Sequence, residues 1–225
     1  MNKKLISTFI LIFFTNIVFG QAPTIQWQKS FGGSDNEVDN SIYQTSDGGY
    51  IIAGTSRSIN GDITGSHGDN DAWVVKIDNN GTKQWQKSLG GTKSDRISSI
   101  KQTVDGGYIM AGSSNSNDGD VSGNRGDYDF WIVKLDNNGS IQWQKSLGGK
   151  SNDSAIDIQQ TSDNGFIVVG DTYSDNSGMF PGDVSGNHGG QDLWVVKLDN
   201  NGTIKWQKCL GGSEIEFASY IQQTS

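Results

Sequence analysis

Two stretches of the chain place side-chain oxygens at alternate positions and then a glycine. Asp118, Asp120 and Ser122 precede Gly123, with Asp129 twelfth in the count; Asn60, Asp62, Thr64 and Asp71 reproduce the arrangement around Gly65. Hard oxygens at every second position, with a glycine free to make the sharp turn, are what a calcium loop requires. These eight residues are therefore the candidate metal ligands, for an ion that would stiffen a loop and take no part in catalysis. The fifth-position group is a hydroxyl, the twelfth is Asp where the longer Glu is usual, and the third copy has Pro181 at the first-ligand position. The competing reading is that Asp, Asn, Ser and Gly are ordinary turn residues whose side chains bond nearby backbone.

Catalytic chemistry finds less support. The two histidines, His67 and His188, occupy equivalent positions in different copies of a repeat, with Arg125 between them at the same position. Set so far apart, they do not make one metal site, which needs convergent ligands. Cys209 stands where other copies have Ser30, Ser88 and Ser146, and no Ser/His/Asp or Cys/His arrangement recurs. The Asn-Gly-Thr and Asn-Gly-Ser triplets at Asn80, Asn138 and Asn201 read as hairpin turns, and Lys76, Lys134 and Lys197 as a salt link repeated at one strand position.

All these residues belong to a unit of 58 residues, written three times and begun a fourth time. Trp27, Trp85, Trp143 and Trp206 mark one position of it and Trp73, Trp131 and Trp194 another, spaced 58, 58 and then 63. Within the copy 83–140, Lys83–Leu89 alternates as a half-exposed strand, a second strand falls near Ile97–Thr103, and Asp105-Gly106-Gly107 makes a tight turn. Tyr108–Gly112 is apolar on both faces, as in the middle of a layered structure. A polar loop, Ser113–Asp129, leads to a fourth strand, Phe130–Leu135, which closes on Asp136-Asn137-Asn138-Gly139. The pattern predicts an all-β, β-propeller-like array of four-stranded antiparallel blades, about three and a half of them, in units of approximately 25–82, 83–140, 141–203 and a partial 204–225. A β-trefoil has shorter units and ends after three, and the coils of a β-solenoid are far shorter than this unit.

Residues 1–20 have the parts of a secretory signal: Lys3 and Lys4, an apolar stretch around Ile10–Phe14 and small-residue positions near Val18 and Gly20. Cleavage near Gln21 would move the formal charge from -8 to -10, because two lysines and no acids leave with the segment. An acidic surface argues against nucleic acid or an anionic membrane as partner, and nothing after the signal is expected to insert into a membrane. A single cysteine in an exported chain leaves stability to packing alone.

The strings W-Q-K-S-[LF]-G-G, I-x-Q-T-x-D-x-G-[YF]-I and D-x-W-[VI]-V-K-[LI]-D-N-N-G, spanning residues 25–225, resemble the exported β-propeller repeats of bacteria, especially surface proteins of Bacteroidetes. The resemblance implies a secreted or outer-surface protein, often long and carrying a C-terminal secretion sorting domain. This chain stops at Ser225, between the second and third strands of its fourth unit, and so reads as a piece of a longer protein. The expected function is a non-enzymatic binding or scaffold module that meets a protein or glycan through its blade loops, with no cofactor beyond a structural calcium. The alternative is the propeller portion of a secreted enzyme acting on polysaccharide, its catalytic residues lying mainly elsewhere. Further repeats downstream would favour the first reading, and a catalytic domain there the second.

Overall fold

The computed structural model describes residues 23–175 and 182–224. The signal reading of residues 1–20 and Pro181 of the third copy lie outside them. Twelve strands form three four-stranded sheets, each a simple antiparallel meander. The first contains β1 (Glu37–Gln44), β2 (Tyr50–Ser56), β3 (Asp71–Ile77) and β4 (Lys83–Leu89). The second contains β5 (Asp95–Gln102), β6 (Tyr108–Ser114), β7 (Asp129–Leu135) and β8 (Ile141–Leu147), and the third β9 (Asp153–Gln160), β10 (Phe166–Thr172), β11 (Asp192–Leu198) and β12 (Ile204–Leu210).

Strand positions agree with the sequence pattern, but the grouping is shifted by one strand. The Gln-Trp-Gln-Lys strand closes the sheet before it and does not open the next: Lys76 is paired with Trp85, and Lys134 with Trp143. The cause is the turn. Asp78 accepts the amides of Asn80 and Thr82 at 2.8 Å each, the Gly81 amide donates to the Asp78 carbonyl at 3.1 Å, and Gly81 takes φ +77°. A hairpin so short forces the strands it joins to pair with each other. Gly81 is doubly required, because a Cβ there would also lie 2.8 Å from the ring of Trp27.

Alternation along the strands gives the middle sheet two apolar faces. Tyr108, Met110, Trp131, Val133 and Leu135 join Ile51, Ala53, Ala72 and Val74 of the first sheet in one core cluster. Their neighbours Ile109, Ala111, Phe130 and Ile132 join Ala155, Phe166, Val168 and Trp194 of the third sheet in another. The tryptophans of β3, β7 and β11 are fully buried, and Trp73 and Trp194 donate to Gln86 and Gln207 at 2.9 and 2.7 Å. Trp85 and Trp143 are equivalent, as the repeat requires, but half-buried rather than enclosed. Each lies edge-on to an aromatic of the following sheet, Tyr108 at 5.8 Å and Phe166 at 5.7 Å, and Trp27 meets Tyr50 at 6.2 Å in the same way.

The first strands of successive sheets also meet. Asn40 donates to the Ile97 carbonyl at 2.6 Å, and Ser99 donates to Asp157 at 2.7 Å. The segment 216–223 follows β9 similarly, with the Ile221 amide donating to Asp157 at 3.1 Å.

Candidate functional site

Antiparallel meanders sort their connections by end. The hairpin turns β1–β2 and β3–β4, with their counterparts, lie at one end. The long loops 57–70 and 115–128, residues 173–175 and 182–191 of the third, and the links between sheets lie at the other. The candidate ligands are all at the loop end, together with five acids so deeply buried that they require explanation.

The links between sheets are held by side chains of the loops. Along Gly90–Ser94 five consecutive amides donate to side-chain oxygens: Gly90 to Asp120 at 3.2 Å, Gly91 to Asp95 at 2.7 Å, Thr92 to Asp118 at 2.8 Å, Lys93 to Ser116 at 3.1 Å and Ser94 to Asn115 at 2.8 Å. The first link repeats the pattern, Gly32 donating to Asp62 at 3.2 Å and Ser34 to Asn60 at 2.9 Å. Alternate oxygens thus serve alternate amides of an extended strip. Thr64 and Ser122 are bonded instead by Gln86 and Gln144 of the fourth strands. Asp62 also pairs with Lys83, and Asp183, the third-copy counterpart of Asp62, with Arg125.

Beneath the links, one register row of each sheet carries two acids separated by a hydroxyl residue: Glu37, Ser56, Asp71; Asp95, Ser114, Asp129; Asp153, Thr172, Asp192. The hydroxyl donates to the first acid of its row. A second hydroxyl, Ser116 or Ser174, joins it on Asp95 or Asp153 at 2.9 and 2.8 Å. The last acid of each row accepts the amide four residues earlier with one oxygen, from His67, Arg125 and His188. Its other oxygen, Oδ1 of Asp71, Asp129 or Asp192, is buried without a partner.

Those free oxygens turn toward the next sheet. A Cβ placed on Gly90 would lie 2.8 Å from Asp71 Oδ1 and 2.6 Å from Asp95 Oδ2. On Gly148 it would lie 2.6 Å from Asp129 Oδ1 and 2.5 Å from Asp153 Oδ2, and Gly211 stands in the same relation to Asp192 and Glu216. Carboxylates therefore alternate within and between sheets along the whole loop end.

Burial, with Asp153 adding to it, pushes the Asp129 carboxyl up to about 7, against hydrogen bonding by the Arg125 amide. Burial likewise raises Asp95 and Asp153. Cys209 is pushed up to about 12 by burial and then by Asp192 and Asp153. Histidine stands near two of the acids, His67 Nδ1 3.8 Å from Asp71 and His188 Nδ1 2.9 Å from Asp192.

Of the eight candidate ligands, Asp71 and Asp129 belong to the buried row, and Asn60, Asp62, Asp118 and Asp120 to the amide strips. Thr64 and Ser122 sit at the fourth strands. Among the described residues no three His, Cys, Asp or Glu side chains form a cluster able to hold a metal. Sequence reasoning missed Asp95, Asp153, Glu37 and Glu216. Their signal was an acid at the same position of every copy.

The lysines of the repeat lie at the turn end and pair within their own sheets. Lys76 reaches Asp47 at 2.9 Å and Lys134 reaches Asp105 at 2.9 Å, which helps hold both carboxyls down at about 2. Along the first strands a groove of about 560 Å³ is lined by Tyr43, Lys101, Asp157, Gln159, Tyr220 and Ile221, with Lys101 2.9 Å from Asp157.

No family model matches the chain. It is similar to the regulatory protein FlaEY of Caulobacter vibrioides, 27% identical over 197 residues, and this similarity covers 79% of the chain but only 19% of that protein's length. A crystal structure of a protein of unknown function from Bacteroides caccae aligns with a TM-score of 0.38 at 11% identity, covering 80% of this chain and 70% of that one.

Proposed function

We propose that this chain is a segment of an exported, propeller-like scaffold whose long loops form a binding surface for a protein or glycan, and that it carries no catalytic site of its own. The observation that carries the reading is the placement of the loops. Three equivalent sheets with buried faces present every long loop at one end, each held down by side-chain bonds to a link between sheets. Rigid strands carrying polar loops are how binding surfaces are commonly built.

Radial stacking, as in a propeller, is supported by two observations. The middle sheet is covered on both faces, and the first strands β1, β5 and β9 run beside one another from sheet to sheet. Such stacking leaves a groove along the first strands, where Tyr43 and Tyr220 offer aromatic faces to a sugar or peptide. In FlaEY the similar stretch is a small part of a much longer protein, which agrees with a modular role. Export is supported by the signal pattern of residues 1–20.

The test is to express the gene in a Gram-negative host, fractionate the cells and determine the amino terminus of the product. The reading predicts mature protein starting near Gln21 outside the cytoplasm. An uncleaved cytoplasmic product contradicts it. A glycan array and a pull-down from outer-surface extract, each repeated with the loop 115–128 replaced by a Gly-Ser linker, test the binding surface.

A further inference from the structure

The loop end contains more buried negative charge than its own residues satisfy. Asp71, Asp129 and Asp192 are 1%, 0% and 0% exposed, and each keeps one oxygen without a partner. Each of these oxygens faces a second acid across a glycine, and the neighbouring hydroxyls of Ser88 and Ser146 are also buried and unpartnered. Two oxygens lying 2.8 and 2.6 Å from one point are at most about 5.4 Å apart, and at Gly148 the corresponding limit is about 5.1 Å. Calcium holds oxygens at about 2.3 to 2.6 Å, so ligands on opposite sides of it stand about 5 Å apart. A side chain on Gly90, Gly148 or Gly211 would press on both carboxylates, so glycine lets the two acids approach each other at all three junctions.

We propose that each junction between successive sheets binds one divalent, oxygen-seeking cation, calcium, bridging Asp71 to Asp95, Asp129 to Asp153 and Asp192 to Glu216. Backbone carbonyls and water complete the shell, as calcium commonly allows. The ion fixes each loop to the following sheet, because the acids it bridges are anchored on one side to the loop amides of His67, Arg125 and His188 and on the other to the links at Gly91, Gly149 and Gly212. This site shares Asp71 and Asp129 with the one the loop spacing suggests but none of its other oxygens, which are bonded to link amides or to Gln86 and Gln144. It rests on the sheet geometry and not on the export reading.

The experiment is equilibrium dialysis of the chelator-stripped 225-residue chain at pH 8 against calcium up to about 1 mM, the range of extracellular calcium modules, with thermal melts alongside. The expected result is one ion for each of the three junctions and a melting temperature that rises with calcium and much less with magnesium. Asp95→Asn keeps the shape of the side chain and removes the charge that faces Asp71 Oδ1. It should remove one ion from the stoichiometry and lessen the rise of the melting temperature with calcium, and Asp153→Asn should do the same at the second junction. Glu216→Gln, at the more exposed third junction, serves if either variant fails to fold. A folded parent that binds no calcium overturns the proposal. Binding that is lost in Asp118→Ala but kept in Asp95→Asn and Asp153→Asn overturns it in favour of the loop ligands.

Discussion

At the scale of single residues, the acids of this chain divide by environment. Asp47 and Asp105, each bonded by a hydroxyl, a backbone amide and a lysine, are held at about 2. Asp129, buried beside Asp153, is pushed up to about 7. A carboxyl whose folded value is raised binds more protons folded than unfolded, so its contribution is complete below about 4 and is lost as pH rises through 7. The depressed acids act oppositely, losing their contribution as pH falls from about 4 toward 2. In chelator the melting temperature should therefore peak in mildly acidic solution and decline toward pH 8, with Asp129→Asn flattening the alkaline decline. Melts from pH 3 to 9 check this, and a curve that keeps rising to pH 8 in both chains would contradict it. The loop spacing groups Asp71 and Asp129 with oxygens of their own loops, and the fold sets each of them beside an acid of the next sheet. Their partners lie 24 residues downstream on the next sheet, a proximity that only the fold creates.

At the scale of elements, local signals locate the strands of the three sheets but not their grouping, and residues 25–31 and 220–224, which the repeat matches to strands of other copies, form none. Lys83–Leu89 was found at its observed bounds, and Phe130–Leu135 to within one residue. The grouping turns on Asp136–Gly139, so short a turn that its flanking strands must pair with each other. The D-x-D spacing of the loops was legible too. Calcium loops and amide strips both use alternate oxygens, and spacing alone does not separate them. Removing one of these bonds should loosen a link without unfolding a sheet. Asp118→Ala deprives the Thr92 amide and hydroxyl of their acceptor. Hydrogen exchange should quicken at residues 90–94 and remain slow in β6. Trp131→Ala, in the core between the first two sheets, should cost about 3 to 5 kcal/mol. Trp206→Ala, at a site 48% exposed, should cost about 1 kcal/mol or less. Denaturant melts of the two variants give that contrast directly.

At the scale of the molecule, the repeat makes each sheet depend on its neighbours. The middle sheet is apolar on both faces, whereas Val38, Ile42 and Tyr43 on the first sheet and Phe217 and Tyr220 beyond the third are exposed. Apolar surface of this kind promotes association, so sedimentation should show concentration-dependent oligomers that Ile42→Lys reduces. The central claim is that the sheets stack radially, with first strands innermost and fourth strands outermost. Pulsed electron paramagnetic resonance tests it most directly, with spin labels at Val38 and Arg96 on the first strands, or at Gln84 and Gln142 on the fourth strands, in a Cys209→Ser background. Radial stacking predicts a clearly longer distance for the Gln84–Gln142 pair than for the Val38–Arg96 pair. Equal distances, or a shorter outer one, would mean that the sheets lie flat on one another, and the propeller-like account would be wrong.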